Sequence, residues 1–287
     1  MTIYNIQVIS STGYPYFNKN IKEEPEDIKL FLRFFDFTEK AESFPPSLDD
    51  DSNFSLLAGL VSALFEFAKN INKNINTLSF KSLHRPKGRP KIEKKYQGDC
   101  LITTQTETYL LHKSIRQKIN YIYKAIVSSK IPFESADPLT EKEQKTIVDI
   151  LTDEKARNHL KQNTGKIKDI AEKLLRERGD YGLESIAITS FDLTPLRVYG
   201  SKYSSEDIEN ILRNIGEIPQ IDPFEWKYRQ SFLNNSQVWI YLINSGIGVT
   251  VEETLFEPYF YLLFCDPQSY LGEFPNKLTR DLNSILG

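Results

Sequence analysis

Two nearly unbroken apolar runs, QVWIYLINS at 237–245 and PYFYLLFCD at 258–266, constrain this chain more than anything else in it. Both are short and rich in aromatics, the first also in β-branched residues, as strands are, and both place large apolar side chains at odd and even positions. Strands of that kind are covered on both faces, so the C-terminal region must hold a sheet with helices on either side. The material for them lies nearby. LESIAITSF and TPLRVYG read as a hairpin about the turn DLTP, and SSEDIENILRNIG reads as a capped helix ending at Gly216. GIGVTVEETL adds a further strand, with the glycines of INSGIGVT expected to form a tight hairpin. The Pro- and Trp-bearing stretch before QVWIYLINS is expected to be an irregular loop. FPNKLTRDLNSIL closes the chain as an amphipathic helix through Leu278, Leu282, Ile285 and Leu286.

The N-terminal region has a similar plan in different letters. Tyr4, Ile6 and Val8 alternate with Ile3 and Ile9, SSTGYP supplies a turn, and YFNKN runs back as a second strand. A short helix is expected at about 26–35, followed by a Pro-broken, acid-tipped loop to residue 51. The next element is a helix over 53–72, marked by Phe54, Leu57, Ala58, Val61, Leu64, Phe65, Ala68 and Ile71. Leu56, Leu60, Ala63 and Phe67 form a second stripe beside the first. That predicts a helix buried on more than one side and makes these four the candidate interface residues. INTLSFKSL is expected as a strand, DCLITTQTETYLLHKS as two strands or one bent one, and IRQKINYIYKAIVSS as a helix. Between the two regions, residues 131–182 are rich in charged helix formers. Thr140 with Glu143 makes a capping box, Ile167, Ile170, Ala171, Leu174 and Leu175 make an apolar stripe, and Gly179 is the expected stop. The charges there are expected to form solvated faces.

Composition narrows the class. With a net charge of −3 the chain lacks the basic balance of a general nucleic-acid binder. No window approaches 18 uninterrupted apolar residues, and the N-terminus MTIYNIQVIS has no signal-peptide pattern. A cytoplasmic protein is the expectation, with peripheral contact with a membrane left open. Cys100 and Cys265 sit in apolar surroundings far apart and read as buried hydrophobes rather than ligands.

Two regions of hairpin, helix, further strands and terminal helix imply an α+β chain: two α/β/α-type sandwiches, each on a mainly antiparallel five-stranded sheet, joined by a helical connector. In this plan residues 1–130 resemble a longin domain, carried by IYNIQVISSTGYPYF and FSLLAGLVSALFEFAKNI, with inserts at 21–51 and 84–97. Residues 183–287 resemble a longin or roadblock unit, carried by SIAITSFDLTPLRVYG, VWIYLINSGIGVTV and YFYLLFCD, and 131–182 is the connector. The resemblance implies a non-enzymatic adaptor in small-GTPase regulation or membrane traffic. Its implied partners are a small GTPase or another longin/roadblock protein, with homo- or hetero-dimers and no cofactor.

No metal or nucleophile motif appears around His84, His112 or His159. Glu225 and Lys227 in DPFEWK form the tail of a PD-(D/E)xK pattern, which makes a metal-dependent nuclease a lesser alternative. The one charge-unbalanced stretch is HRPKGRPKIEKK, with Arg85, Lys87, Arg89, Lys91, Lys94 and Lys95. RPKGRPK resembles an AT-hook, whose Pro-flanked cations enter a narrow A·T minor groove while Gly lets the backbone lie close to it. Lys87 stands where an arginine is usual, and a compact hydrated ammonium inserts less well than a guanidinium. The same loop suits an anionic membrane or an acidic protein, and it also reads as a solvated turn. DNA binding through these residues is the main alternative function.

Overall fold

A computed structural model describes residues 1–10, 13–26, 28–37, 50–70, 100–131, 133, 139–216, 218–251 and 254–287, with 50–57 described by backbone alone. The chain divides into two compact units, Met1–Thr38 with Gln97–Gly287, and Glu39–Tyr96.

The first unit holds two antiparallel sheets. In the smaller, β1 (Ile3–Ser10), β2 (Pro15–Asn20), β3 (Leu30–Asp36) and β4 (Cys100–Glu107) lie in the order β2-β1-β4-β3. The expected alternation holds: Tyr4, Ile6 and Val8 are buried, while Asn5, Gln7 and Ile9 are half-buried. The helix expected at about 26–35 is instead strand β3, paired along its whole length with β4. The acidic run before it suggested a helix, but LFLRFFD has β-forming aromatics and a period of two. Arg33 and Phe35 turn inward while Leu32 and Phe34 face out. DCLITTQTETYLLHKS yields the single strand β4. His112 starts helix α2 (His112–Ile122), which runs on through a π turn at Tyr123–Val127. The strand expected at 75–83 lies outside the described residues.

The larger sheet comprises β5 (Leu183–Thr189), β6 (Pro195–Tyr199), β7 (Trp226–Leu233), β8 (Ser236–Val251) and β9 (Leu255–Cys265), in the order β6-β5-β9-β8-β7. Its central strands are covered on both faces, as the apolar runs require. Ile188, Ile243, Tyr261 and Leu263 join one core with Ala156 and Leu160 of α4 (Glu154–Gln162), Ile167 and Leu174 of α5 (Thr164–Arg178), and Leu278 and Leu282 of α7 (Phe274–Leu286). Their sequence neighbours Ala187, Leu242, Phe260 and Leu262 join a second core with Ile208, Ile211 and Leu212 of α6 (Ser205–Arg213). Tyr109, from the turn between β4 and α2, packs into this second core.

Two local expectations are corrected here, while the helix stop at Gly179 is borne out. The glycines of INSGIGVT do not turn the chain, because β8 passes straight through them with an irregularity between Asn244 and Gly248. Gly248 is needed for close approach, since a Cβ there would lie 1.9 Å from the Glu257 carbonyl oxygen. Part of the expected Trp-bearing loop is strand β7, which pairs with β8 from Trp226↔Ile243 to Leu233↔Ser236. Helix α5 ends before Gly179, but Gly179 stays right-handed and a short 3₁₀ turn follows. The left-handed residue is Gly182, at φ 89°. The capping box is present: Thr140 and Glu143 bond reciprocally at the start of α3 (Glu141–Leu151).

In the second unit the described element is α1 (Asp50–Asn70), close to the expected 53–72. Ala68 is buried, whereas Leu60, Ala63, Phe65 and Phe67 are exposed, Phe67 by 57%.

Candidate functional site

The most unusual chemistry is interior. Lys118 lies on α2 between Ile115 and Ile119, on the face that the helix buries, and its side chain is 0% exposed. Its ammonium donates to Asp153 Oδ1 at 2.5 Å and to Asp192 Oδ2 at 3.2 Å, and Glu257 Oε1 lies 3.7 Å away. The three acids come from three places. Asp153 occupies the α3–α4 turn in a left-handed conformation (φ 57°), Asp192 sits in the β5–β6 turn, and Glu257 lies on β9. All four side chains are buried.

The acids are not equivalent. Asp192 also accepts from the Ser190 hydroxyl and from the Thr194 amide at 3.2 Å. Burial pushes its carboxyl up, but Lys118 and the bonds from Ser190, Thr2 and Thr194 outweigh this and hold it below the ordinary carboxylate range. Asp153 has Lys118 on one oxygen and no partner on the other. Burial and then the Asp192 charge raise it to about 8 against the pull of Lys118. Glu257 is raised for the same first reason, burial, and its Oε1 also lacks a hydrogen-bond partner. Burial alone would lower the Lys118 ammonium, but its three acidic neighbours hold it above its ordinary value.

A second buried pair lies nearby in sequence. Glu107, at the end of β4 and 0% exposed, accepts from Arg213 Nη2 at 2.6 Å and from Arg213 Nε at 3.2 and 3.1 Å. The Tyr4 hydroxyl donates to the same carboxylate at 2.5 Å. Burial first, and then this carboxylate, raise the Tyr4 phenol. Arg213 closes α6, so this pair ties the smaller sheet to a helix of the larger one, as Lys118 ties α2 to β9 and the β5–β6 turn. The Lys118 cluster is sealed from solvent, and the Glu107–Arg213 pair reaches it through the partly exposed guanidinium. Both join elements, and they give one body two sheets held by charge as well as by packing.

The sequence singled out none of these ionic residues. Two signals were present: Lys118 falls at helical spacing within the stripe Ile115, Ile119, Ile122, and Glu257 interrupts the apolar run of β9. Asp153, contrary to the expected solvated faces of residues 131–182, is buried. Asp192 and Arg213 gave no signal, because a turn aspartate and a C-terminal helix arginine are ordinary surface choices.

Glu225 is exposed before β7, and Lys227 is exposed on it. Among the described residues no group of three His, Cys, Asp or Glu is suited to hold a metal ion. Arg85, Lys87, Arg89, Lys91, Lys94 and Lys95 lie outside the described residues, as does the side chain of Leu56. His112 is exposed and held below its ordinary value by burial first and then by Arg33 and Arg116. His159 Nδ1 is 2.8 Å from the Tyr259 hydroxyl, within the helix–sheet packing. Cys100 and Cys265 are buried and form no disulfide, and burial pushes the Cys265 thiol up to about 12.

The outward features are sheet edges. β7 is an edge strand with Tyr228 (52%) and Phe232 exposed. Tyr228 stacks on Trp239 at 5.5 Å, and Trp226 packs against Tyr241 at 5.5 Å, making an aromatic ladder. Among the described strands β3 is an edge, and it exposes Leu32 and Phe34, the latter by 60%. Long edge strands with exposed apolar side chains are unusual on a monomer's surface, where they invite strand pairing. A pocket of ≈ 280 Å³ lies between Tyr4 and the segment Asn20–Glu24 and is lined by Lys22, Glu23 and Glu24 but by no serine, threonine or cysteine. No described helix is long and apolar enough to cross a membrane.

No protein-family model matches this chain. No curated protein matches it either.

Proposed function

We propose that this chain is a non-enzymatic interaction protein with tandem longin/roadblock-like sheets, serving as an adaptor or regulator for a small GTPase or a membrane-traffic assembly in the cytoplasm. Each sheet is read as the centre of an α/β/α sandwich. The observation that carries the reading is the element order of the larger sheet: hairpin β5–β6, helix α6, strands β7 to β9, terminal helix α7. The sheet order β6-β5-β9-β8-β7 places the first and last strands side by side at the centre and leaves β7 as an edge. A second support is the distribution of chemistry. The Lys118 and Glu107 clusters lie inside as joints, and the large apolar side chains left outside include Leu32 and Phe34 of β3, Tyr228 and Phe232 of β7, and Leu60, Phe65 and Phe67 of α1. Surfaces of this kind bind partners through added strands or packed helices. Fold likeness alone does not assign a partner, so the partner class rests on the resemblance.

The test is capture of small GTPases from extract of the source cell on the immobilised full chain, with GDP or a non-hydrolysable GTP analogue. Enrichment of one GTPase, lost on Tyr228→Ser with Phe232→Ser while the variant stays folded, is the expected result. No GTPase enriched in either nucleotide state, with the chain folded on the matrix, removes the GTPase reading.

A further inference from the structure

We propose that Lys118, Asp153, Asp192 and Glu257 form a proton-gated latch, which clasps α2 to the α3–α4 turn and the larger sheet while two of its acids keep their protons and loosens when they lose them. The inference begins with charge and geometry. One ammonium faces three carboxyl groups, and all four side chains are buried. Full ionisation would leave two negative charges in an interior that solvates them poorly, and a buried charge without a partner either neutralises or opens the structure. The hydrogen bonds show where the protons belong. Asp192 is supplied with donors on both oxygens, whereas Asp153 Oδ2 and Glu257 Oε1 have no hydrogen-bond partner, Oε1 lying 3.7 Å from the Lys118 ammonium. The structure therefore assigns the charged pair to Lys118 and Asp192 and a proton each to Asp153 and Glu257.

Among the described residues, Lys118 is the cation paired with these acids. On α2, Lys113 and Arg116 are exposed. From α4, Arg157 turns its Nε to the Thr152 carbonyl, and His159 is held by Tyr259. Tyr259 of β9 is a phenol raised by burial first and then by Glu257 and Asp153, and Tyr109 of the β4–α2 turn is raised by burial first and then by Glu107 and Glu209, with Asp192 a smaller cause. The elements that Lys118 and the acids join are the ones that bring the smaller sheet's helix α2 onto the larger sheet, so loosening the cluster loosens that joint.

The sign follows from linkage. An acid whose folded value is raised takes up a proton on folding. Its stabilisation is complete below the ordinary carboxylate range and is lost as pH rises through the folded value, about 8 for Asp153. Each retained proton makes the folding equilibrium fall about tenfold per pH unit across that window.

The experiment is urea unfolding of the full chain between pH 5.5 and 8.5, for the wild type, Asp153→Asn and Glu257→Gln. Both substitutions imitate the protonated acid, and Asn tolerates the left-handed backbone at 153. The wild type is expected to lose stability with pH, and each variant to flatten the profile by about one proton, so that its equilibrium gains up to about tenfold per unit on the wild type. Profiles of the wild type and both variants that run parallel overturn the proposal. Should a variant fail to fold, proton uptake on refolding the wild type at pH 7 decides the matter. Ordinary carboxylates of the unfolded chain hold almost none there, so uptake of one to two protons supports the latch and no net uptake refutes it. Amide exchange distinguishes a latch from a general loss of stability. In the wild type, α2 and residues 190–194 should open at pH 8.5, after correction for intrinsic exchange, while β8 stays protected. Equal deprotection of all three regions refutes a local joint.

Discussion

Replacing Arg213 with methionine tests whether charge holds the two sheets together. The Glu107 carboxylate is 0% exposed and receives donors from Arg213 Nη2 and Nε and from the Tyr4 hydroxyl. Arg213→Met keeps most of the side chain's volume but removes the charge and every one of its donors. Breaking a buried pair from one side costs about 3–5 kcal/mol, because the remaining charge stays buried without compensation. The guanidinium is 18% exposed and Tyr4 still donates, which places the expected loss at the lower end, about 3 kcal/mol or more than a hundredfold in the folding equilibrium. Removing both charges in Glu107→Gln with Arg213→Met should cost less than the sum of the two single changes, with a coupling of about 1.5 kcal/mol or more. Urea unfolding reads this directly. Both tryptophans, Trp226 and Trp239, lie in the larger sheet, so their fluorescence follows that sheet while far-ultraviolet dichroism follows the whole chain. Coincident wild-type transitions are expected of a joined body. A loss under about 1 kcal/mol, or additivity in the double variant, would show that packing alone makes the joint.

Gly248→Ala should destabilise by about 3 kcal/mol or prevent folding, because its Cβ would meet the Glu257 carbonyl oxygen at 1.9 Å and Pro258 Cα at 2.6 Å, both main-chain atoms. Gly165→Ala in α5 is the control: open space surrounds it, and the change should stabilise by about 0.5–1 kcal/mol, read by thermal unfolding. For the basic stretch 84–95, the AT-hook alternative expects salt-sensitive binding of the full chain to A·T-rich duplex, weakened by Arg89→Ala. A flat fluorescence-anisotropy titration at low salt removes that alternative.

Much of the scaffold could be read along the chain because its causes are local. The alternation at Tyr4, Ile6 and Val8, the double-faced apolar runs of β8 and β9, the Thr140 capping box and the spacing of α5 and α7 each lie within a few residues of one another. The misreadings arose where the deciding partner is remote. Residues 30–36 become a strand because β4, some 70 positions away, supplies the ladder, and local acidity before them pointed to a helix. Residues 226–233 become a strand because β8 lies beside them. Gly246 and Gly248 looked like a turn but mark a bulge and a close approach in one long strand. The interior charges follow the same rule. Lys118 could be suspected from its place in an apolar stripe, but its meaning depends on Asp153, Asp192 and Glu257, which come from three other elements. The sequence by itself determined which segments must be buried and on how many faces, since burial pattern follows the period of a strand or helix. Only the tertiary structure decided which buried charges meet and which edges stay open, because pairing energy depends on distance in space, and distance along the chain does not report it.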